Sequence, residues 1–270
     1  MSSFVERLKR ARKATNSMVC VGLDPDLDRL PVHLKSDADA VYEFNRAIIE
    51  HTADFVSAYK LNMAFFEVMG SKGYEALERT LTIIPDGIMT ICDCKRGDMG
   101  NSARMYARAV FEHFDFDIAT VNPYQGRDSV QPFLDYTDRG VFILCLTSNK
   151  SASEFQYLPV NGHSLYLEVA RVAQSWDTSL NAGLVVGATQ TKSLAGIRDV
   201  APNMPLLIPG IGAQGGDLEA VIREGADADG GGLLINSSRS ILYASNGLDF
   251  AEAARDATIK LRNEINALLP

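Results

Sequence analysis

The segment Gly87–Asp98, with the sequence GIMTICDCKRGD, is a short apolar run that ends in charged residues. Runs of the same kind recur at seven other places along the chain. They are Met18–Asp24, Val56–Asn62, Asp117–Pro123, Gly140–Ser148, Ala182–Thr189, Leu206–Gly212 and Gly231–Ser238. Short, continuous apolar runs bounded by polar residues are typical of strands that are buried on both faces of a parallel sheet.

Between most of these runs the apolar residues have helical spacing. Val41, Phe44 and Ile48 fall on one face of the segment from about Asp37 to Phe55, and Leu248–Leu269 reads as a final amphipathic helix. Alternation of eight buried strands with helices indicates a parallel sheet covered on its outside. At 270 residues the pattern favours a closed barrel over an open sheet. The sequence therefore predicts an α/β fold, a single (β/α)8 TIM barrel occupying residues 1–270, with an N-terminal helix before the first strand.

The composition limits the classes of partner. A net charge of −8 argues against a protein that coats nucleic acid or an anionic membrane, but leaves room for a small anionic ligand in a locally basic pocket. No stretch of about 18 apolar residues occurs that would predict a transmembrane helix. The cationic segment Met1–Lys13 has apolar residues at helical spacing, which favours a helix packed on the domain and leaves a mitochondrial presequence as the alternative.

Four cysteines lie inside apolar runs, without the spacing of a zinc site or of a disulfide-stapled secreted domain. They are Cys20, Cys92, Cys94 and Cys145. We interpret them as reduced thiols and expect a reducing, cytoplasmic location.

Polar residues collect where the predicted strands end. They are Asp24, Lys60, Asn62, Asp93, Lys95, Asn122, Thr147, Ser148, Thr189, Gln214, Asn236 and Arg239. Catalytic groups of (β/α)8 barrels lie at the carboxyl ends of the strands. This ring of polar residues is therefore the predicted active face.

The third run contains the most informative pattern. Because side chains alternate along a strand, Asp93 and Lys95 share one face while Cys92 and Cys94 share the other. Lys60 ends the neighbouring strand, so a second lysine is expected beside the pair. Alternating acids and bases in a dry pocket form a coupled network, and such networks cluster at functional sites. The alternative is a surface ion pair that happens to close a strand.

These residues resemble a known family. The pattern D-x-K-x-x-D of Asp93, Lys95 and Asp98 is the signature of the orotidine 5′-phosphate decarboxylase family. The resemblance extends in the same order over nearly the whole chain. It includes Val21–Asp24, Tyr59–Asn62, Leu146–Asn149, Pro209–Asp217 and Asn236–Arg239. The Pro-Gly-Ile-Gly-Ala-Gln-Gly-Gly segment is similar to the longer bacterial branch of that family.

The resemblance implies the chemistry. Orotidine 5′-phosphate would lose carbon dioxide to give UMP, in de novo pyrimidine biosynthesis, without a metal or an organic cofactor. Lys60, Asp93, Lys95 and Asp98 would form the charge network, with Lys95 as the acid that protonates C6 and Asp93 beside the substrate carboxylate. Asp98 and Ser102 would come from the other subunit of a homodimer whose active sites lie at the interface.

The resemblance also assigns substrate-binding residues. They are Asp24, Lys60, Ser102, Ser148, Gly212, Gln214, Ser238 and Arg239. Asp24 and Lys60 would hold the ribose hydroxyls, and Ser148 would bond the pyrimidine. Gln214 would reach between the phosphate and the base. Arg239 would hold the phosphate beside the glycine-rich segment, because guanidinium groups pair with phosphate in a bidentate way.

Other interpretations stay open. The G-x-G-x-x-G pattern at 210–215 also fits a dinucleotide-binding fold, but it follows the seventh predicted strand and the next strand ends in Asn236 instead of an acid. Arg239 could be an ordinary surface residue. A Mg²⁺-dependent sugar-phosphate enzyme of the same suprafamily and a catalytically inactive nucleotide-binding module are the alternative functions. Lys150 replaces the proline expected in the Thr-Ser-Asn-Pro loop of this branch, which would change the closing of that loop over the base.

Overall fold

A computed structural model describes residues 3–35, 39–211 and 216–269. Eight parallel strands close into a barrel in which each strand pairs with its neighbours along the chain and the last pairs with the first. They are β1 (Val19–Gly22), β2 (Ala58–Asn62), β3 (Met89–Arg96), β4 (Ile118–Val121), β5 (Gly140–Leu146), β6 (Ala182–Val186), β7 (Leu206–Pro209) and β8 (Leu233–Ser237). Each strand lies on one of the predicted apolar runs. The prediction of a (β/α)8 barrel is confirmed.

Helices cover the outside of the barrel. They are α1 (Phe4–Thr15), α2 (Ala40–Thr52), α3 (Met63–Glu67), α4 (Ser71–Thr82), α5 (Gly100–Arg108), α6 (Arg127–Leu134), α7 (Leu165–Trp176), α8 (Thr191–Val200), α9 (Leu218–Gly225), α10 (Arg239–Leu242) and α11 (Phe250–Ala267). A short antiparallel hairpin pairs residues 159–160 with 163–164. None of the described helices is long and apolar enough to cross a lipid bilayer.

The N-terminal helix expected from the sequence closes the amino-terminal end of the barrel. Ser3 and Glu6 form a capping box that starts α1. The fully buried Phe4 packs edge-on against Phe142 inside the barrel, with ring centroids 6.0 Å apart. A Cβ on Gly140 would overlap the Phe4 ring, so only glycine fits under it. Phe4 therefore fills the barrel interior at this end, and catalytic groups of (β/α)8 barrels lie at the opposite, carboxyl ends of the strands.

Candidate active site

A cleft of about 460 Å³ opens at the carboxyl ends of the strands. Its lining includes Asp24, Lys60, Asp93, Asn236, Ser238 and Arg239. All six were predicted as strand-end or site residues from the sequence. The parallel register explains their meeting, since Gly22 of β1 lies opposite Lys60 of β2, and Asn62 of β2 opposite Asp93 of β3.

Two lysines share the carboxylate of Asp93. Lys60 Nζ lies 3.0 Å from Asp93 Oδ2 and 3.4 Å from Asp24 Oδ2. Lys95 Nζ lies 2.6 Å from Asp93 Oδ1. The side chain of Lys60 is 5% exposed and that of Asp93 10%, whereas that of Lys95 is 45% exposed. The predicted cluster of alternating charges is therefore present. It is buried at Lys60 and exposed at Lys95, which is not one of the described residues that line the cleft.

The pKa values in this cluster favour the charged forms. Burial opposes the ionisation of Asp93, but the attraction of Lys60 and Lys95 outweighs it and lowers the pKa of Asp93 to about 2. Burial likewise opposes the charge on Lys60, yet Asp24 and Asp93 raise the pKa of its ammonium group above the ordinary value. Lys60 and Asp93 are therefore both ionised at neutral pH.

Asp24 joins the ends of three strands. Its Oδ1 accepts the backbone N–H of Asn62 at 3.0 Å, and its Oδ2 accepts the hydroxyl of Ser238 at 2.8 Å. A Cβ on Gly22 would overlap Ser238 Oγ, so glycine is needed for this close approach. The contacts fix the Asp24 carboxylate beside Lys60.

Two arginines line the cleft. Arg239 begins α10, one residue after the end of β8, and Arg29 stacks on the ring of Tyr243 at 3.8 Å. The Tyr243 hydroxyl in turn accepts the backbone N–H of Asp26 at 2.8 Å. Gly212 and Gln214, which were predicted to bind substrate here, lie outside the described residues.

Ser148 follows β5, at the same end of the barrel. A Cβ on Gly187, which follows β6, would overlap the backbone of Ser148, so the two loops touch. The side chain of Gln156 bonds both the hydroxyl and the backbone N–H of Thr147. Gln190 donates to the Thr147 carbonyl at 3.0 Å, which ties the loop that carries Ser148 to its neighbour.

Asp98 and Ser102 do not line this cleft in the described part of the single chain. The half-buried Asp98 accepts the N–H of Met99 at 2.8 Å, and Ser102 is exposed on α5. The single chain thus brings together Lys60, Asp93 and Lys95 and leaves the second aspartate of the motif outside.

The four cysteines are free thiols, as predicted, and Cys94 is the one that is only half-buried. Cys92 packs in the layer between the barrel and the helices. Among the described residues, no group of three or more His, Cys, Asp and Glu side chains is placed to hold a metal ion.

Comparison with known proteins identifies the family. Residues 17–255 match the orotidine 5′-phosphate decarboxylase / HUMPS family. The chain belongs to this family. It is 50% identical over 266 residues to the orotidine 5′-phosphate decarboxylase of an Azoarcus species, which covers 98% of each chain. It is 48% identical over 267 residues to that of Dehalococcoides mccartyi, covering 97% of each chain.

The fold of the family is also found among solved structures. The OMP decarboxylase of Leishmania donovani is similar, with a TM-score of 0.87 and 39% identity, and the match covers 99% of both chains. The resemblance to this decarboxylase family inferred from the sequence is confirmed.

The sequence did not reveal every residue at the family's site. Arg29 and Tyr243 line the cleft but were not predicted; the sequence Asp-Pro-Asp after β1 is a turn signal that could have marked a loop there. Thr120 of β4 was also missed, and its hydroxyl contacts both Asp93 and the backbone of Lys95. A lone threonine in the run Ile118–Val121 was the only signal for it.

Proposed function

We propose that this protein converts orotidine 5′-phosphate to UMP and carbon dioxide in de novo pyrimidine biosynthesis. The observation that supports this most strongly is the Lys60–Asp93–Lys95 cluster, in which one carboxylate is held between two ammonium groups at 3.0 and 2.6 Å. The full-length relatives named as decarboxylases point the same way. The Asp93 carboxylate supplies a negative charge, and the Lys95 ammonium group beside it is a cation that can donate a proton.

Lys95 is the acid in the proposed reaction. The bond between C6 and the carboxylate breaks, carbon dioxide leaves, and the electron pair stays on C6. The Lys95 ammonium stabilises this developing carbanion and then transfers a proton to it, giving UMP and a neutral amine that regains a proton from water. The ion pair with Asp93 Oδ1 holds the ammonium group beside a carboxylate that lines the cleft.

Asp93 favours departure of the carboxylate. Two like charges about 4 Å apart repel by roughly 4 kcal/mol at an effective dielectric constant near 20. Protonation by a placed acid adds roughly 10²–10⁴-fold in rate. Neither effect suffices for so difficult a decarboxylation. Most of the acceleration must come from electrostatic stabilisation of the carbanion, with binding energy from the remote phosphate.

The substrate is proposed to bind in the cleft with its phosphate at Arg239, which is part of the cleft lining. By the family resemblance, Arg239 would pair with the phosphate beside Gly212 and Gln214, and Gln214 would reach toward the base; Gly212 and Gln214 lie outside the described residues. Asp24 and Lys60 bond the ribose hydroxyls, with Ser238 at Asp24. Ser148 bonds the pyrimidine. This orientation places C6 at Lys95.

We propose that the active form is a homodimer in which Asp98 and Ser102 complete the partner's site. The surface around the Asp98 loop is apolar, which supports a protein contact there. Met99 is 64% exposed and Tyr124, in the adjoining loop after β4, is 88% exposed. Gly97 lies against Asn122, which joins these two loops into one surface. A second copy of the chain would cover it and bring Asp98 to a Lys95.

The enzyme is further proposed to be one domain spanning residues 1–270, to work without a metal or organic cofactor, and to reside in the cytoplasm. The charge cluster itself provides the acid and the electrostatic field that the reaction needs. Four free thiols suit a reducing compartment. The net charge of −8 argues against a nucleic-acid or membrane partner and leaves room for a small anionic substrate in a locally basic pocket.

The test is the loss of orotidine 5′-phosphate absorbance on adding the purified protein in EDTA. Rapid loss with UMP as the product supports the cofactor-free decarboxylase. Turnover of a sugar phosphate that is abolished by EDTA and restored by Mg²⁺ would instead support the related Mg²⁺-dependent enzymes. Binding of UMP by folded protein without any turnover would support a nucleotide-binding module.

A further inference from the structure

Thr120 lies at the centre of the hydrogen bonds that position Lys95, the acid of the proposed reaction. Its side chain is on β4, and the residue is only 1% exposed. The hydroxyl accepts the backbone N–H of Lys95 at 2.9 Å and donates to Asp93 Oδ1 at 3.1 Å. The carbonyl of Cys92 is a more distant acceptor, at 3.5 Å. A hydroxyl has one proton to donate, so the shorter contact makes Asp93 its acceptor.

The backbone of Lys95 explains why such a partner is needed. Lys95 has a φ of +44°, in the left-handed region that residues other than glycine rarely adopt. The register of β3 against β4 shifts in this segment. Cys92 pairs with Ala119 and Arg96 pairs with Val121, so β3 advances by four residues where β4 advances by two. In this bulge the backbone N–H of Lys95 donates to the Thr120 hydroxyl oxygen, whereas in a regular pair of strands it would donate to a backbone carbonyl of the neighbouring strand. Strained backbone of this kind persists where the surroundings over-determine it.

The contacts form a closed ring. Thr120 bonds the backbone of Lys95 and the carboxylate of Asp93, while the same Oδ1 of Asp93 accepts the Lys95 ammonium at 2.6 Å. The other oxygen, Oδ2, is held by Lys60 at 3.0 Å. The backbone N–H and the ammonium group of Lys95 are therefore both held by the linked pair of Thr120 and Asp93.

We propose that Thr120 is the positioning residue of this site: its hydroxyl holds the bulged backbone of Lys95 and orients the Asp93 carboxylate, so that the ammonium group is aimed at C6. This rests on the decarboxylation proposed above. Thr120 is buried in the barrel wall, so it affects the reaction indirectly, through its contacts with Lys95 and Asp93. Its loss therefore lowers kcat more than it weakens nucleotide binding.

The experiment compares Thr120→Val, which keeps the β-branched shape without the hydroxyl, with Thr120→Ser, which keeps the hydroxyl. Thr258→Val is the matched control, because Thr258 is also fully buried but, within the described residues, its hydroxyl donates to the Ala254 carbonyl of the same helix, α11. Thr120→Val is expected to lower kcat about 100-fold, the cost of misplacing a reacting group by about 1 Å. The KM for orotidine 5′-phosphate and the UMP dissociation constant should change by less than about fivefold.

Thr120→Ser should recover kcat to within about threefold of wild type, since the hydroxyl is restored. A kcat for Thr120→Val close to that of wild type, or a Thr120→Ser variant as slow as Thr120→Val, would overturn the proposal. An equal loss in Thr258→Val would also overturn it. If Thr120→Val does not fold, Thr120→Ala takes its place with the same expected outcomes.

Hydrogen exchange at the Lys95 amide provides a readout that does not depend on activity. Loss of the Thr120 hydroxyl should speed exchange at this amide, while the Thr258→Val variant leaves it unchanged. Unaltered exchange in Thr120→Val contradicts the positioning role. A wild-type protein that does not turn over orotidine 5′-phosphate, but whose Lys95 amide depends on Thr120, would instead refute the proposed function.

Discussion

Asp93 is the residue on which the charge cluster depends, because its two carboxylate oxygens hold two different lysines. Removing it would leave Lys60 with Asp24 as its acidic partner and, among the described residues, Lys95 without an ion pair. The charge on Asp93 is therefore expected to contribute to the stability of the fold as well as to the proposed reaction.

The lowered pKa of Asp93 predicts that this residue stabilises the fold at neutral pH and loses that effect in acid. A carboxylate whose pKa falls from 3.8 to about 2 on folding stabilises the protein at pH values above its ordinary pKa. That contribution is lost as the pH falls through about 2, and at neutral pH it amounts to about 2 kcal/mol. The difference in unfolding free energy between wild type and Asp93→Asn should therefore shrink by this amount from about pH 5 to about pH 2.

Denaturant unfolding at a series of pH values measures this difference. Asp229→Asn is the control, since Asp229 is 76% exposed and pairs with an exposed lysine. Such a pair is worth at most about 1 kcal/mol, so the control should stay near wild type. A difference for Asp93→Asn that stays constant over the range would show that its charge does not stabilise the fold.

Lys60, Asp93 and Lys95 could be predicted from the sequence, because side-chain alternation and neighbouring strands were enough to place them together. Thr120 could not, since a threonine in a run of apolar β-branched residues is also an ordinary strand residue. Regular alternation also gave no sign of the left-handed conformation at Lys95. The proposed contact of Asp98 with a partner would depend on a second chain, which strand patterns in one chain do not reveal.

Among the secondary-structure elements, α1 lies at the amino-terminal end of the barrel, whereas the candidate active site lies at the opposite end. Phe4 is fully buried and plugs the amino-terminal end. Phe4→Ala is expected to lower the unfolding free energy by about 3–5 kcal/mol, the cost of a cavity at a buried aromatic side chain. The kcat/KM of the folded fraction should be unchanged.

Thermal or denaturant unfolding checks this prediction. Leu180→Ala, at the same end of the barrel but 62% exposed, is the control and should change stability by less than about 0.5 kcal/mol. An equal loss in both variants would mean that the Phe4–Phe142 contact does not support the barrel.

The loop after β5 offers a second prediction, at Lys150. Lys150 begins a 3-10 turn, and Asn149 before it has φ −75° and ψ 151°, the extended conformation that a residue before proline prefers. Lys150→Pro should therefore be accommodated and should raise stability by about 0.4–1 kcal/mol through a stiffer unfolded chain. If this loop closes over the base, a pre-ordered loop should also lower KM. A lower melting temperature and a raised KM would contradict both expectations.

The strands could be predicted from the sequence more fully than the helices. All eight strands lie on the predicted apolar runs, although the strands themselves range from four to eight residues. Helix α6 is only eight residues long and contains Pro132, and α8 contains Gly196, so neither shows a clear helical period. Tertiary packing on the barrel overrides these weak local preferences.

At the scale of the whole molecule, the proposed homodimer predicts complementation between inactive variants. Lys95→Ala and Asp98→Ala should each be inactive as homodimers. If Asp98 acts across the interface, a mixed dimer has one site with both lesions and one intact site. Equal mixing with subunit exchange should then restore about a quarter of the wild-type rate, since half of the dimers are mixed.

Turnover in the exchanged mixture is compared with each variant treated alone. If Asp98 served its own chain, every site in the mixture would have one lesion and no activity would return. An active monomer in sedimentation would equally refute the shared site.

Turnover of orotidine 5′-phosphate by Lys95→Ala tests most directly whether Lys95 is the proton donor. We expect kcat to fall by more than about 10²–10⁴-fold, because both the acid and the charge that stabilises the carbanion are lost. UMP should still bind measurably, since Asp24, Lys60 and Arg239 remain. A Lys95→Ala variant that decarboxylates at the wild-type rate would contradict this role for Lys95.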